Sequence, residues 1–186
     1  MMIWVRAKKE ESSIMLFMKK FTPILIVFII AAVIVGVFLS LASSKQMVVI
    51  KEGNIKKLPL KIELHKYQDS FCGMVIDELD YASEVISNDG KTWFFHDHGD
   101  FVLWLKDKPF RDDVVIWVMS RDTHRWIDAK KAFYSVDETT PMGYGFGAYE
   151  KKKANTIDFE TMKLRVLRGE TLNNPLIRQK ILSNRQ

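Results

Sequence analysis

The sequence predicts an α+β protein in which an N-terminal transmembrane helix precedes a small domain of repeated strand–strand–helix–strand units. Two observations predict this class. Residues 21–41 form an uncharged, strongly apolar run of 21 residues. Further along, short runs of β-branched and aromatic residues alternate with segments whose apolar residues recur at helical spacing. A chain of 186 residues has room for one such domain and an accessory segment.

The apolar run is long enough to cross a bilayer as a helix, since the hydrocarbon core takes about 20 residues. Residues 1–20 carry five basic and two acidic side chains, so the positive-inside rule places them in the cytoplasm. We therefore expect a single-pass protein of the inner (cytoplasmic) membrane, with its C-terminal domain in the periplasm. The alternative is a signal peptide that starts at Met18 and is cleaved after Ala42.

The charge distribution argues against nucleic acid as a ligand. Residues 21–150 carry 14 basic and 18 acidic side chains, a net charge of −4, whereas phosphate binding needs a basic surface. Residues 151–186 carry nine basic and three acidic side chains, a net charge of +6. We divide the exported part into a connector (42–66), a metal-binding domain (67–170) and a loosely held basic tail (171–186).

The first half of the domain reads as strand, strand and helix. Residues 58–64 alternate apolar and polar, which predicts a short strand. Residues 81–87 and 92–95 form a hairpin around Asp89-Gly90, a dipeptide that favours positive φ at both central positions. A helix follows around 101–105; Asp97 or Asp100 caps it, and Pro109 lies beyond its end.

The second half predicts a similar order. A strand at 114–119, buried on both faces, turns at 121–124 and returns at 125–127. A further strand at 133–136 leads into the Gly-rich stretch 141–147. A short helix at 155–162, capped by Asn155 or Thr156, and a strand at 163–168 complete the domain.

Two sulfur-containing stretches are the candidate functional residues. Cys72, the single cysteine, and Met74 flank Gly73, and in an extended segment both side chains lie on one face. Met142 lies in the Gly-rich stretch. Thiolate and thioether are the soft ligands that copper(I) prefers, whereas one cysteine is too few for a typical structural zinc site. We expect the two stretches to meet and bind Cu(I).

Two histidines are weaker candidates, and each candidate has a plain structural alternative. His96 and His98 flank Asp97 and could add a nitrogen ligand, or the three residues could form a polar turn that caps the helix. Cys72 could be a small buried hydrophobe or form an intermolecular disulfide, and Met142 could fill the core.

The motifs in this order resemble the NosL family of nitrous oxide reductase accessory proteins. They are Phe71-Cys72-Gly73-Met74, the Asp89-Gly90 hairpin, the segment 94–100, Trp126-Ile127-Asp128-Ala129 and Thr140-Pro141-Met142-Gly143-Tyr144-Gly145. The resemblance implies a periplasmic copper(I) chaperone with a fold similar to that of the alkylmercury lyases. Its partners would be nitrous oxide reductase or the membrane transporter complex that matures this enzyme.

By position, Cys72 and Met74 match the family's Cys-Gly-Met motif and Met142 matches its second methionine. Many members are lipoproteins, whereas here an apolar helix takes the place of the acylated cysteine. From the matched motifs we expect a copper-binding protein that is not an enzyme. The alternatives are a thiol-dependent lyase or redox enzyme that uses Cys72 with His98, and an assembly factor in which Cys72 is inert.

Overall fold

The computed structural model describes residues 22–40 and 47–183, which belong to two compact units divided between Gln46 and Met47. The first unit contains helix α1, Thr22–Ser40, a helix of 19 residues with an 18-residue window of mean hydropathy 3.0 and with no buried side chain. Its length and composition suit a membrane span, and a signal sequence shares them. The predicted cytoplasmic segment 1–20 and the alternative cleavage site at Ala42 lie outside the described residues.

The second unit is built on a five-stranded antiparallel sheet with the strand order β1-β3-β2-β4-β5. Strands β6 and β7 form a separate two-stranded sheet. Three α-helices and one 3-10 helix complete the described part of the unit. The strands are β1 (Ile50–Lys51), β2 (Ser83–Ile86), β3 (Thr92–Phe95), β4 (Val115–Met119), β5 (Trp126–Asp128), β6 (Phe133–Tyr134) and β7 (Ala148–Tyr149); the helices are α2 (His98–Leu105), the 3-10 helix Ala129–Lys131, α3 (Phe159–Leu167) and α4 (Pro175–Ser183).

The large sheet has a hydrophobic core on each face, because successive strand residues point to opposite sides. Phe95 joins the larger core, which includes Phe101 of α2 and Phe159 of α3. Its neighbour Phe94 joins the smaller core, where Ile62 and Tyr67 pack against the other face. The residues of both cores belong to the second unit.

Several predicted elements are confirmed where short-range signals were strong. The β2–β3 hairpin forms, and Asp97 caps α2 by accepting a hydrogen bond from the Gly99 N–H at 3.2 Å. The predicted turn, with positive φ at both Asp89 and Gly90, is wrong, because only Gly90 of this pair has a positive φ (81°). Gly90 N donates to Ser87 O, which makes a type I turn closed by a glycine bulge.

The strand predicted at 163–168 is wrong, since these residues belong to α3 or its C-terminal cap. Phe159, Met162 and Val166 are buried at helical spacing, and this period prevails over the short alternation. The N-cap is Asp158, which accepts a hydrogen bond from the Thr161 N–H at 2.8 Å, rather than Asn155 or Thr156.

The strand predicted at 58–64 does not form a ladder. Pro59 has no N–H to donate, and the Leu60 N–H donates instead to the Glu84 carboxylate at 2.9 Å. This segment still packs, because Ile62 is buried and β1 pairs with β3. The compact unit therefore begins at Met47, although the sequence suggested a connector up to residue 66.

The second half departs from the predicted repeat. β4 is fully buried on one face and half-buried on the other, and only two residues of the predicted strand 133–136 pair. No strand follows α3 within residues 47–183. The start of the predicted loose tail is held in place, since Thr171 and Leu172 are buried before α4 begins.

Candidate metal centre

The Cys72 stretch is a tight turn organised by Asp69. The Asp69 Oδ1 atom accepts hydrogen bonds from the backbone N–H groups of Phe71 at 2.7 Å and Cys72 at 3.0 Å. Gly73 has a φ of 75°, a conformation that glycine adopts without strain. The extended conformation that we expected for Cys72 and Met74 is therefore wrong, and alternation does not place their side chains on one face.

The same aspartate connects this turn to the end of β3. Asp69 Oδ2 accepts a hydrogen bond from the His96 N–H at 2.8 Å and lies 2.9 Å from His96 Nδ1. The Ser70 N–H donates to Phe94 O at 2.9 Å. One buried carboxylate thus ties the start of the Cys72 turn to the end of β3 and orients the imidazole of His96.

Four potential ligand groups converge at this point: Asp69, Cys72, His96 and Asp100. Their ligand atoms all lie within 4.8 Å of one another. His96 Nδ1 faces the other three, at 2.9 Å from Asp69 Oδ2, 3.4 Å from Asp100 Oδ2 and 3.8 Å from Cys72 Sγ. Three of the four residues are buried and Cys72 is half-buried, so the cluster opens to solvent on the sulfur side.

The distance from sulfur to nitrogen suits two ligands of one metal ion. Zinc bonds of about 2.3 Å to sulfur and about 2.0 Å to nitrogen span about 3.7 Å when they meet at a trigonal angle. The observed distance between Cys72 Sγ and His96 Nδ1 is 3.8 Å. The pair is therefore spaced for a shared ion without a change of backbone.

The Gly-rich stretch contacts the start of α2, and Asp97 makes the connection. Besides capping α2, Asp97 accepts a hydrogen bond from the Met142 N–H at 2.9 Å. The Tyr144 ring lies flat against the backbone of Gly99, where a Cβ would approach the ring to 2.2 Å. Both stretches thus lie against the first turn of α2, on which Asp100 lies; that they bind one ion together stays a prediction.

The electrostatics of the cluster suit a cation. Hydrogen bonds hold the pKa of Asp69 below its usual value despite burial, so this carboxylate is ionised at neutral pH. Burial, together with the charges of Asp69 and Asp97, raises the pKa of Asp100 to about 8. Burial also raises the pKa of the Cys72 thiol to about 12.

Asp100 has only weak compensation for its burial, an approach of 3.4 Å from His96 Nδ1. Neither of its carboxylate oxygens has a hydrogen-bond partner among the described residues, and the same is true of His96 Nε2. Tyr144 and Asp69 approach closely enough to shift the pKa of Asp100, but neither forms a well-aligned hydrogen bond with it. Buried polar atoms without partners are rare, and at a cluster of ligand groups they indicate room for an ion.

The arrangement is poorly suited to nucleophilic catalysis. A catalytic base contacts the nucleophile through one imidazole nitrogen and its orienting acid through the other. Here Cys72 and Asp69 both face Nδ1 of His96, so no proton relay runs across the ring. The raised pKa of Cys72 also opposes thiolate formation in the absence of a metal.

His98 lies apart from the cluster. Its side chain is fully buried, its Nδ1 lies 2.8 Å from the Ser83 hydroxyl, and its ring contacts Tyr134 at a centroid distance of 5.9 Å. Burial lowers the pKa of His98 to about 3, so the ring is neutral. The structure therefore brings His96, and not His98, to Cys72.

The two methionines have different surroundings. The side chain of Met74, two residues beyond Cys72, is exposed to 51%. Met142 is half-buried and packs against the larger core, the environment of a gap-filling methionine. Their membership of a metal site stays a prediction.

Asp69 and Asp100 are site residues that the sequence reasoning missed. Two local signals could have indicated them. Asp69 precedes Cys72 by three residues, the spacing at which an aspartate caps a turn, and Asp100 follows His96 by four residues, the spacing of neighbours on a helical turn.

The fold and the site define an α+β domain with a candidate metal centre built from one cysteine, one histidine and two aspartates. The structure is similar to the crystal structure of the copper chaperone NosL from Shewanella denitrificans, with a TM-score of 0.47 and 21% sequence identity. The match covers 59% of this chain and 87% of that chain. Neither protein-family models nor curated proteins give a match to this sequence.

Proposed function

We propose that this protein binds copper(I) through Cys72 and His96 and transfers it to a partner during the maturation of a copper enzyme. The observation that carries the proposal is the convergence of Asp69, Cys72, His96 and Asp100 at a partly open position. Copper is the cargo in this proposal, and binding and transfer are the whole activity.

Copper(I) suits this set better than a divalent ion that needs four strong ligands. A thiolate and an imidazole satisfy most of its need for coordination, since it favours soft ligands. The ionised carboxylate of Asp69 then acts through its charge, because the Nδ1 atom that it faces in this structure becomes the copper ligand. A third ligand would come from a thioether, for which Met74 and Met142 are the candidates.

The half-open position of Cys72 supports transfer rather than permanent storage. Cys72 is half-buried, while Phe71 and Met74 beside it are exposed to 46% and 51%. A partner's thiolate or thioether can approach from this side and replace one ligand at a time. The buried carboxylates on the opposite side keep the ion in place until that replacement begins.

The cellular setting follows from α1 and from the sequence motifs. We propose that α1 anchors the chain in the cytoplasmic membrane and that the copper domain lies in the periplasm, where a copper-bound thiolate is protected from oxidation. The motifs that resemble the NosL family support nitrous oxide reductase, or the transporter complex that matures it, as the acceptor.

Substitution of the two proposed ligands tests copper binding. In competition with a chromogenic Cu(I) chelator, Cys72→Ala should abolish binding, and His96→Ala should weaken it at least about tenfold, the effect of losing one ligand. His124→Ala is the matched control for the histidine, because the His124 side chain is 71% exposed. Unchanged affinity in Cys72→Ala, with the fold intact by circular dichroism, would falsify the proposal.

Conservative substitutions distinguish between Met74 and Met142 as the third copper ligand. Met74→Leu and Met142→Leu preserve volume and remove sulfur. The variant that loses affinity identifies the third ligand, and equal affinity in both variants and in the double variant excludes thioether coordination. Met119→Leu, at a core position of β4, is the control for the substitution itself.

A further inference from the structure

A basic groove lies on the part of the second unit that follows α1 most closely in sequence. Its volume is about 610 Å³, and its lining consists of residues 51–56 with Leu58, Leu60, Lys61 and Tyr67. Lys51, Lys56 and Lys61 contribute its charge, against the single acidic residue Glu52. We call this feature the lysine groove.

Large aliphatic side chains lie exposed between these lysines. Ile55 is exposed to 69% and Leu58 to 55%, and Ile50 beside the groove is exposed to 48%. Burying a side chain of this size is worth about 1.5–3 kcal/mol, so a cluster of exposed aliphatic residues favours contact with an apolar phase.

The charge of this segment is not neutralised within the fold. Residues 47–66 contain five lysines and two glutamates, a net charge of +3. Lys66 pairs with Glu63, and the Lys57 amine donates to the Asn88 side chain. Lys51, Lys56 and Lys61 form no salt bridge in the described part of the chain, so their charge is available to an external anion.

The chain between the two units limits what this segment can reach. Six residues, 41–46, connect α1 to Met47, and a connection of that length spans at most about 22 Å. This step rests on the proposed insertion of α1 in a membrane. The headgroups of that membrane are then the anionic surface most accessible to the lysines, at a high effective concentration.

We propose that the lysine groove binds anionic phospholipid headgroups of the membrane that holds α1, with Ile55 and Leu58 at the boundary of the acyl chains. Lysines around exposed aliphatic residues are the composition of interfacial membrane-binding segments. Docking here also orients the Cys72 turn. Ser70, two residues before Cys72, donates a hydrogen bond from its hydroxyl to Val49 O at 3.0 Å, directly before β1.

Lysine acetylation in nanodiscs tests this contact with the full chain. The protein is placed in nanodiscs of phosphatidylcholine alone, or with roughly one third phosphatidylglycerol, and the modification rate of each lysine is measured by mass spectrometry. Lys56 should react about fivefold more slowly in the anionic nanodiscs. Lys151 and Lys152, which are exposed on another segment, should react equally in both.

Two variants separate charge from apolar contact while retaining Lys56 as the reporter. Lys51→Gln/Lys61→Gln and Ile55→Ser/Leu58→Ser should each remove the protection of Lys56. The matched controls, Lys151→Gln/Lys152→Gln and Leu176→Ser, should retain it, since Leu176 is exposed to 76% on α4.

The outcomes distinguish this inference from the proposed function. Equal reactivity of Lys56 in both nanodiscs, with the chain retained in them, overturns lipid binding and leaves copper binding untouched. Protection by inorganic phosphate in phosphatidylcholine nanodiscs overturns the lipid as ligand and indicates a site for a free anion. Failure of the chain to stay in either nanodisc contradicts the insertion of α1 and this inference with it.

Discussion

At the scale of single residues, the Cys72 thiol determines how copper binding depends on pH. Its pKa of about 12 means that the thiol is protonated at any physiological pH without metal. The ligand in the proposed site is the thiolate, so each bound Cu(I) releases the thiol proton. This proton alone should make affinity rise about tenfold per pH unit between pH 6 and 8. Chelator competition at several pH values measures this slope.

Asp100 should add to that slope below pH 8. Its pKa of about 8 means that it carries a proton at neutral pH, and a nearby cation favours its ionised form. Asp100→Asn removes this second proton and should reduce the slope to that of Cys72 alone. A slope of zero in the unsubstituted protein would show that the thiol is not a ligand.

Glu84 provides a second pH effect, on stability rather than on binding. This fully buried residue of β2 has a pKa raised by burial from 4.5 to about 8. Between these values the folded state holds a proton that the unfolded state has lost. The free energy of unfolding should therefore fall with rising pH by about 1.4 kcal/mol per unit, and this contribution should level off above pH 8.

Substitution of Glu84 isolates this contribution. Glu84→Gln keeps an oxygen acceptor for the Leu60 N–H and removes the titration. Relative to the unsubstituted protein, this variant should gain stability steadily from pH 5 to 8 in urea unfolding. Glu52→Gln is the control, because Glu52 is exposed. A difference between variant and parent that does not change with pH would contradict the prediction.

At the scale of elements, the contact between α2 and the Gly-rich loop holds the site together. Gly99 lies in the first turn of α2, and a Cβ there would come within 2.2 Å of the Tyr144 ring. Gly99→Ala should therefore displace the loop, cost about 1–3 kcal/mol of stability and lower copper affinity without removing a ligand. Thermal unfolding and chelator competition measure the two effects.

A double variant shows whether this contact is the cause. Tyr144→Ala removes the ring that Gly99→Ala would strike, so the double variant should be less destabilised than the sum of the two single variants. Additive effects would mean that Gly99→Ala acts independently of the Tyr144 ring, and a stabilising Gly99→Ala would mean that helix propensity, which favours alanine, outweighs the contact.

Elements that are defined by nearby turn and cap residues could be predicted from the sequence. Elements whose apolar residues fit both strand and helix spacing could not. The β2–β3 hairpin and the Asp97 cap follow from turn and cap residues that act within a few positions. Residues 163–168 alternate over too short a run to distinguish a strand from α3. Pro59 also removes a ladder donor within the otherwise alternating segment 58–64.

The site could be predicted only in part for a related reason. Cys72 and His96 were candidates because of their chemistry, and the shared metal site of the Cys72 turn and the Gly-rich loop stays a prediction. Asp69 and Asp100 were missed because an aspartate in a sequence indicates solvent or a cap. Only the fold shows these two to be buried against one histidine.

At the scale of the whole molecule, charge and apolar surface are distributed unevenly. The Cys72 turn lies next to the buried carboxyl groups of Asp69 and Asp100, whereas residues 47–66 expose lysines and aliphatic side chains. This distribution agrees with the two proposals, a cation at the metal cluster and an anionic surface at the lysine groove. Both sites belong to the unit that begins at Met47, and α1 supplies the membrane attachment that we propose.

This division predicts that residues 47–186 fold and bind copper without the N-terminal segment. Both hydrophobic cores and all four residues of the metal cluster lie within this unit, and α1 buries no side chain in its described part. The truncated chain should match the full chain in Cu(I) affinity and in unfolding midpoint, while it loses retention in nanodiscs. The full chain in detergent is the control. A fall in affinity of tenfold or more on truncation would show that residues 1–46 contribute to the copper site.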